Sequence, residues 1–139
     1  MKDQLHQATG VAIGQRGLLI EGEPGSGKSS LALALIDRGA MLVGDDGVRL
    51  EVQDGKLWAK PPPHTSGLIE VRNLGLIPMV VTMAPVALVI MLDPQAPRFI
   101  DAPETALRAG HTLPLVRLWP DSPVLALRAE LALRQYGTS

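Results

Sequence analysis

The chain has 139 residues, no cysteine and a formal net charge of −1 at pH 7, which excludes disulfides, thiolate metal sites and a basic nucleic-acid surface. Aromatic residues make up only 3% of the chain, which is too few for the stacking surfaces that bind single-stranded nucleic acid. The longest apolar run, Val86 to Leu92, is too short to cross a membrane, and Met1 to Thr9 carry charge where an export signal would be apolar. We therefore expect one domain over residues 1–139, located in the cytoplasm.

The first recognisable unit is a strand, a tight loop and a helix. Residues 17–22 form a short apolar run that ends at a glycine, and a Pro-Gly-Ser-Gly segment follows. Leu31, Leu35 and Ile36 then recur at helical spacing, and Gly39 is the type of residue that ends a helix. The pattern predicts a helix from about Lys28 to Arg38.

Extended segments dominate the middle of the chain. Two alternating runs, residues 48–52 and 56–59, are separated by Asp54-Gly55, which predicts a β-hairpin. After three prolines, residues 67–77 predict an extended stretch with Glu70 and Arg72 on one face. Residues 86–92 predict a buried strand.

The last third of the sequence mixes helical and extended patterns. Pro103 and Glu104 predict the start of a short helical turn that Gly110 ends, and residues 113–119 look extended. Residues 123–136 predict an amphipathic helix with Leu127 and Leu131 on a different face from its arginines. Together the elements predict an α/β domain of two or three layers, with the strand and helix around the glycine-rich loop at its centre.

The glycine-rich loop satisfies the pattern G-x-x-x-x-G-K-[ST] in full, in the strand-to-helix context that the pattern requires. Its backbone N–H groups and the helix N-terminus favour phosphate oxygens, the lysine reaches the β- and γ-phosphates, and the last serine is a ligand for Mg²⁺. The alternative is an ordinary glycine-rich turn before a helix. The predicted nucleotide-binding residues are Gly22, Glu23, Pro24, Gly25, Ser26, Gly27, Lys28 and Ser29.

Asp45 and Asp46 follow a short apolar run, one helix and one strand after the loop. Carboxylates at this distance from the loop meet the metal and the attacking group in many phosphate-transfer enzymes. A solvated turn around Asp46-Gly47 explains the same residues equally well. From spacing alone, both interpretations stand.

Three motifs together resemble the catalytic domain of HPr kinase/phosphorylase, a bacterial enzyme that phosphorylates a serine of the phosphocarrier HPr. They are the loop, then Arg38-Gly39 with Leu42-Val43 and Asp45-Asp46, then residues 68–77, in the order that the family shows. The resemblance covers most of residues 5–77 and is to the short, N-terminally truncated form known from alphaproteobacteria. It implies a fold like the nucleotide-binding core of phosphoenolpyruvate carboxykinase, with ATP and Mg²⁺ as cofactors, HPr as partner and a hexamer as assembly.

The resemblance also implies roles for individual residues. Lys28 matches the phosphate-binding lysine, and Ser29 and Glu70 match the residues that hold Mg²⁺. Asp45 and Asp46 match the pair that supplies the catalytic base, for which we favour Asp46. His6 resembles an upstream active-site histidine of the family, displaced by one residue from the family's spacing.

The sequence departs from the family at two points. Asn73 replaces the usual glycine of the third motif, and the family's later loop arginine has no match, with Arg117 as the nearest candidate. The missing arginine puts the reverse reaction, phosphorolysis of phosphoserine, in question. The alternatives to an HPr kinase are a nucleotide-binding regulator without catalysis and a small-molecule kinase. A small-molecule kinase would need an arginine-rich lid that the sequence does not show. His64 and His111 belong to no motif and are expected to be ordinary surface or loop residues.

Overall fold

A mixed sheet of nine strands forms around the two apolar runs that lie before the glycine-rich loop and at residues 84–92. The computed structural model describes residues 4–64 and 66–139. The two helices are α1 (Lys28–Asp37) and α2 (Leu125–Tyr136). The strands are β1 (Gln4–His6), β2 (Thr9–Ile13), β3 (Arg16–Gly22), β4 (Met41–Gly44), β5 (Val48–Gln53), β6 (Lys56–Lys60), β7 (Leu68–Val71), β8 (Gly75–Pro78), β9 (Ala84–Leu92), β10 (Glu104–Arg108) and β11 (His111–Leu118).

The strand order places the glycine-rich loop at the middle of the sheet. The order is β1-β5-β6-β9-β3-β2-β4, with β11 also beside β9 and β10 beside β11. β3 runs parallel to β9, and β9 runs parallel to β11. The first residues of β9 pair instead with β6 in the antiparallel sense. Because β3 lies inside the sheet and leads directly into α1, the loop between them opens at the carboxyl edge of the parallel strands, where ligands bind in open α/β sheets.

Alternate residues of the central strands face two different apolar clusters, as the period of a strand requires. Leu18 and Ile20 pack with both helices, whereas Leu19 packs with β5, β6 and the β10–β11 hairpin. The helices therefore cover one face of the central strands, and the antiparallel strands cover the other. This architecture confirms the prediction of a mixed α/β fold.

Helix α1 begins and ends close to the predicted residues. Its apolar positions Leu31 and Leu35 are buried against the sheet. At its end, the N–H groups of Gly39 and Ala40 donate to the carbonyls of Ile36 and Leu35, both at 3.0 Å. This is the hydrogen-bond pattern of a glycine-terminated helix. The predicted hairpin of β5 and β6 and the predicted strand β9 are also confirmed.

The prediction of a helical turn between Pro103 and Gly110 is wrong. Residues 104–108 form β10, which pairs with β11 through a tight turn at Ala109 and Gly110. Both turn residues have positive φ, 48° and 79°, the conformation that two-residue hairpin turns favour. Of the five residues in β10 only Ala106 is buried, and it pairs with the buried Leu113 of β11.

Two further expectations needed correction in detail. Residues 67–77 form a hairpin of β7 and β8 rather than one extended stretch, because the chain reverses at Asn73, whose φ is 75°. Helix α2 exists as predicted, but its buried residues are Leu125, Ala129, Ala132 and Leu133. Leu127 and Leu131 are 42% and 44% exposed. Among the described residues, no helix is long and apolar enough to span a membrane.

Candidate active site

The loop between β3 and α1 has a backbone that its glycines make possible. Gly27 is the residue before the first turn of α1 and has a φ of 103°, which favours glycine over other residues. A Cβ atom on Gly22 would lie 2.6 Å from Ser26 Oγ and 3.2 Å from Leu92 Cβ. A larger residue at position 22 would therefore push the loop away from β9.

The N-terminus of α1 is open to an anion. No side chain caps its first N–H groups, and its first turn contains no acidic residue. Free N–H groups at a helix start carry partial positive charge. Lys28 Nζ lies folded over the loop, donating to the carbonyls of Gly22 at 3.0 Å and Glu23 at 3.3 Å. Ser26 Oγ is buried in the loop without a hydrogen-bond partner. These donors fit the oxygens of a phosphate chain.

Asp45 is the centre of a hydrogen-bond network beside this loop. Its Oδ1 accepts from Ser29 Oγ at 2.6 Å and from Thr9 Oγ1 at 3.2 Å. Its Oδ2 accepts from the backbone N–H of Glu70 at 2.8 Å. One carboxylate thus ties together the start of α1, strand β2 and strand β7. All three donors are uncharged.

Asp46 has a different environment from its neighbour. Its φ is 60°, in the left-handed region that costs a non-glycine residue free energy. Its backbone N–H donates to Thr9 Oγ1 at 3.3 Å, and its side chain is exposed. Thr9 is fully buried, and its hydroxyl forms hydrogen bonds with both aspartates.

Asp46 lies on the border between two cavities. The first, which we name the loop cavity, has a volume of about 190 Å³, and its polar lining includes Thr9, Lys28, Ser29, Asp46, Glu70 and Arg72. The second, which we name the proline cavity, has a volume of about 410 Å³ and is lined by Leu5, His6, Gln7, Asp46, Gly47, Pro62, Pro63 and His64. Most of the predicted site residues therefore converge, and Asp46 belongs to both spaces.

A second cluster of charged residues surrounds Glu21, the residue before the loop. The carboxylate accepts two hydrogen bonds from Arg108, Nε at 2.9 Å and Nη2 at 2.6 Å. His6 Nε2 lies 2.6 Å from Glu21 Oε2. Burial raises the pKa of Glu21, but the hydrogen bonds from His6 and Arg108 and their charges outweigh it and lower the pKa to about 2. Glu21 is therefore ionised over the whole physiological pH range.

The remaining candidates do not line the loop cavity. Arg117 pairs with Glu104 at 2.8 Å and with Asp93 at 3.1 Å, and it does not line the loop cavity. His111 Nε2 lies 3.2 Å from the carbonyl of Gly55 in the turn between β5 and β6. His64 is exposed, and it lines the proline cavity together with His6. A cavity of about 370 Å³ beside Arg16, at the other end of β3, contains none of the predicted site residues.

Three residues of these networks were missed in the sequence: Thr9, Glu21 and Arg108. Glu21 could have been suspected, because a glutamate in an otherwise apolar central strand requires a buried partner. Thr9 and Arg108 belong to no motif, and only the strand pairing brings them to the loop. Their positions follow from tertiary structure alone.

The fold and the site together define a class of protein: a mixed α/β domain with a glycine-rich loop between a central strand and a helix, bordered by carboxylates. The chain belongs to the HPr serine kinase C-terminal domain family, whose sequence model matches residues 2–84. This confirms the family that the three motifs indicated.

Relatives and a solved structure support this assignment. The chain is 54% identical over 61 residues to the HPr kinase/phosphorylase of Clostridium tetani, covering 44% of this chain and 20% of that protein. The corresponding protein of Clostridium beijerinckii is 49% identical over 67 residues, which cover 48% of this chain and 22% of the relative. The matched segment thus spans about a fifth of the length of these relatives. The structure of the Hpr(Ser) kinase/phosphatase from Coxiella burnetii superposes with a TM-score of 0.83 at 32% identity, covering 95% of this chain and 89% of that one.

Proposed function

We propose that this chain transfers the γ-phosphoryl group of ATP to a serine hydroxyl of the phosphocarrier HPr or of a homologous carrier. The observation that carries the proposal is the position of Asp46, whose side chain borders both the loop cavity and the proline cavity. A carboxylate between a phosphate-binding space and a second open space is suited to take the proton of an acceptor that enters from the second side. Membership of the HPr serine kinase family supports the same acceptor.

The loop cavity fits the phosphates of a nucleotide. The uncapped N–H groups at the start of α1 supply neutral donors. Lys28 and Arg72 supply positive charge at the same cavity. Lys28 exchanges its bonds to the loop carbonyls for bonds to phosphate oxygens when the nucleotide enters.

The side-chain oxygen atoms beside the loop are suitable ligands for Mg²⁺. Because Ser29 donates its hydroxyl proton to Asp45, the lone pairs of Ser29 Oγ remain for a cation. Glu70 lines the same cavity and supplies a carboxylate. When bound, Mg²⁺ supplies charge neutralisation for the phosphates during transfer. Within the described residues no three His, Asp or Glu side chains form a cage for an ion, but a magnesium ion that keeps water and phosphate ligands needs only one or two protein ligands.

The transfer step assigns different tasks to the two aspartates. The serine oxygen of the carrier forms a bond to the γ-phosphorus, the bond from that phosphorus to the bridging oxygen breaks, and ADP leaves. The hydroxyl proton passes to the carboxylate of Asp46. Asp45 is the poorer base, because both of its oxygens already accept hydrogen bonds from Thr9, Ser29 and Glu70. His6 lines the proline cavity and contacts the incoming carrier segment.

The reverse reaction is expected to be slow. Phosphorolysis requires stabilisation of an attacking phosphate, and Arg117 is engaged by Glu104 and Asp93. We expect pyrophosphate release from phosphorylated carrier at a rate at least about tenfold below that of the forward reaction. Coupled pyrophosphate detection measures it. Equal rates in both directions would mean that another arginine, such as Arg72, assists the attack.

A panel of purified phosphocarriers tests the function. The chain is incubated with Mg²⁺-ATP and each carrier, and intact mass with peptide mapping locates any phosphoserine. We expect one phosphoryl group on wild-type HPr or a homologue, and none on a carrier whose acceptor serine is replaced by alanine. Nucleotide binding without transfer to any carrier would contradict the proposal and favour a nucleotide-binding regulator.

A further inference from the structure

The cluster of His6, Glu21 and Arg108 joins three distant parts of the chain next to the loop. Glu21 is in β3, His6 in β1 and Arg108 at the end of β10. The Glu21 residue is 7% exposed, and both of its oxygens are occupied, Oε1 by Arg108 and Oε2 by Arg108 and His6. A buried carboxylate held by two bonds from one guanidinium has a fixed orientation.

This orientation determines which ring nitrogen of His6 carries a proton. An ionised carboxylate can only accept hydrogen bonds, so the nitrogen 2.6 Å from Glu21 must donate. Nε2 therefore carries hydrogen, and Nδ1 is the ring nitrogen left for the proline cavity, which His6 shares with Asp46 and His64. Partners of this kind set the tautomer and the ring orientation of histidines at active sites.

We propose that Glu21, anchored by Arg108, is a positioning residue that fixes the His6 ring with Nε2–H on Glu21 and Nδ1 toward the acceptor side of the site. The proposal rests on the function proposed above. Arg108 balances the charge of Glu21, so the carboxylate orients the ring while adding little net negative charge to the region that receives the phosphate. The other charged or titratable groups at this cavity are Asp46 and His64.

The first test measures the ring directly and needs neither nucleotide nor carrier. Two-bond ¹H–¹⁵N correlation spectra of the full chain report the protonation of each ring nitrogen. We expect a protonated Nε2 for His6 at pH 7. His111 serves as an internal reference, because its Nε2 faces a carbonyl oxygen, which can only accept. A His6 ring with an unprotonated Nε2 would overturn the proposal without any variant.

The second test asks whether the fixed ring matters for transfer. In Glu21→Gln the amide can also present an N–H group to His6, so we expect mixed tautomers and a fall in kcat of about tenfold or more, with KM for ATP unchanged. Arg108→Met removes the anchor but keeps the carboxylate, and we expect a smaller fall in the same direction. The matched control is Glu130→Gln, which removes a glutamate–arginine pair on the surface, with Arg38, and should change neither spectrum nor kcat.

The outcomes separate this proposal from the proposed function. A changed protonation pattern of the His6 ring with an unchanged kcat would overturn the positioning role but not the proposed kinase activity. A wild-type chain that phosphorylates no carrier would overturn the function itself, whatever the spectra show. If Glu21→Gln does not fold, the wild-type spectrum and the Arg108→Met variant still decide.

Discussion

Two carboxylates, Asp45 and Glu21, flank the glycine-rich loop, and their partners differ. Asp45 accepts hydrogen bonds from two hydroxyls and one backbone N–H, all neutral. Glu21 accepts from a guanidinium and an imidazole. The partners of Asp45 satisfy its oxygens without bringing a positive charge, whereas the cation beside Glu21 cancels the charge of that carboxylate.

The difference indicates separate tasks for the two sides of the loop. The Asp45 side retains a negative charge next to Ser29 and Glu70, which favours a cation. The Glu21 side is electrically balanced and rigid, which favours the orientation of a neighbouring group. Each prediction below changes one side and leaves the other unchanged.

The largest effect is expected for Lys28→Ala. Lys28 is a cation that lines the loop cavity, and we expect its loss to weaken ATP binding strongly and to abolish transfer, by roughly 10³-fold or more. A phosphotransfer assay with titrated ATP measures both. Lys56→Ala, which changes an exposed lysine of β6, is the matched control. Transfer at the wild-type rate by Lys28→Ala would contradict the assignment of this loop as the phosphate-binding site.

The next effect concerns acid stability on the Glu21 side. The pKa of Glu21 is about 2 in the folded chain, against an ordinary value of 4.5. Because the folded pKa is the lower one, the stabilisation is complete above about pH 4.5 and is lost as the pH falls toward 2. The difference corresponds to about 3 kcal/mol in the free energy of unfolding.

Urea unfolding at a series of pH values measures this loss. We expect the free energy of unfolding of the wild type to fall by about 3 kcal/mol more than that of Glu21→Gln between pH 4.5 and 2. Other carboxylates are common to both proteins and cancel in the comparison. Parallel curves for the two proteins would mean that the ion pair with Arg108 does not form in solution.

The smallest effect is expected at Thr9, on the Asp45 side. Thr9→Val keeps the shape but removes the hydroxyl that donates to Asp45 and accepts from the N–H of Asp46. We expect a fall in kcat of about tenfold and a loss of roughly 1–2 kcal/mol in stability. Thr9→Ser keeps the hydroxyl and should restore most of the rate. A serine variant as slow as the valine variant would assign the effect to packing of the methyl group.

The sequence predicted the region around the loop well because local rules decide it. The pattern from Gly22 to Ser29, the apolar spacing of α1 and the Asp54-Gly55 turn each specify a structure within a few residues. The two aspartates could be assigned to the site only through the spacing of three motifs. The division of tasks that we propose for them could not be predicted, since it depends on Thr9, which reaches them through the pairing of β2 with β4.

The last third of the chain was harder to predict for two physical reasons. The five residues of β10 were assigned to a helical turn, because a proline and a glycine at its ends are also typical helix boundaries. In α2 Ala129 and Ala132 are buried while Leu127 and Leu131 are exposed, so the larger hydrophobic side chains do not identify the buried face. Arg108 is the last residue of β10, the segment that was assigned to a helical turn. Its contact with Glu21 could therefore not be predicted from the sequence.

The most direct test of the account compares Asp46→Asn with Asp45→Asn in nucleotide affinity and single-turnover transfer to a phosphocarrier serine. If Asp46 is the base, Asp46→Asn should keep the affinity for Mg²⁺-ATP within about tenfold while transfer falls by roughly 10² or more. Asp45→Asn should weaken the affinity for Mg²⁺-ATP as well, because Asp45 orients Ser29. Loss of nucleotide affinity in Asp46→Asn, or transfer at the wild-type rate in both variants, would contradict the account.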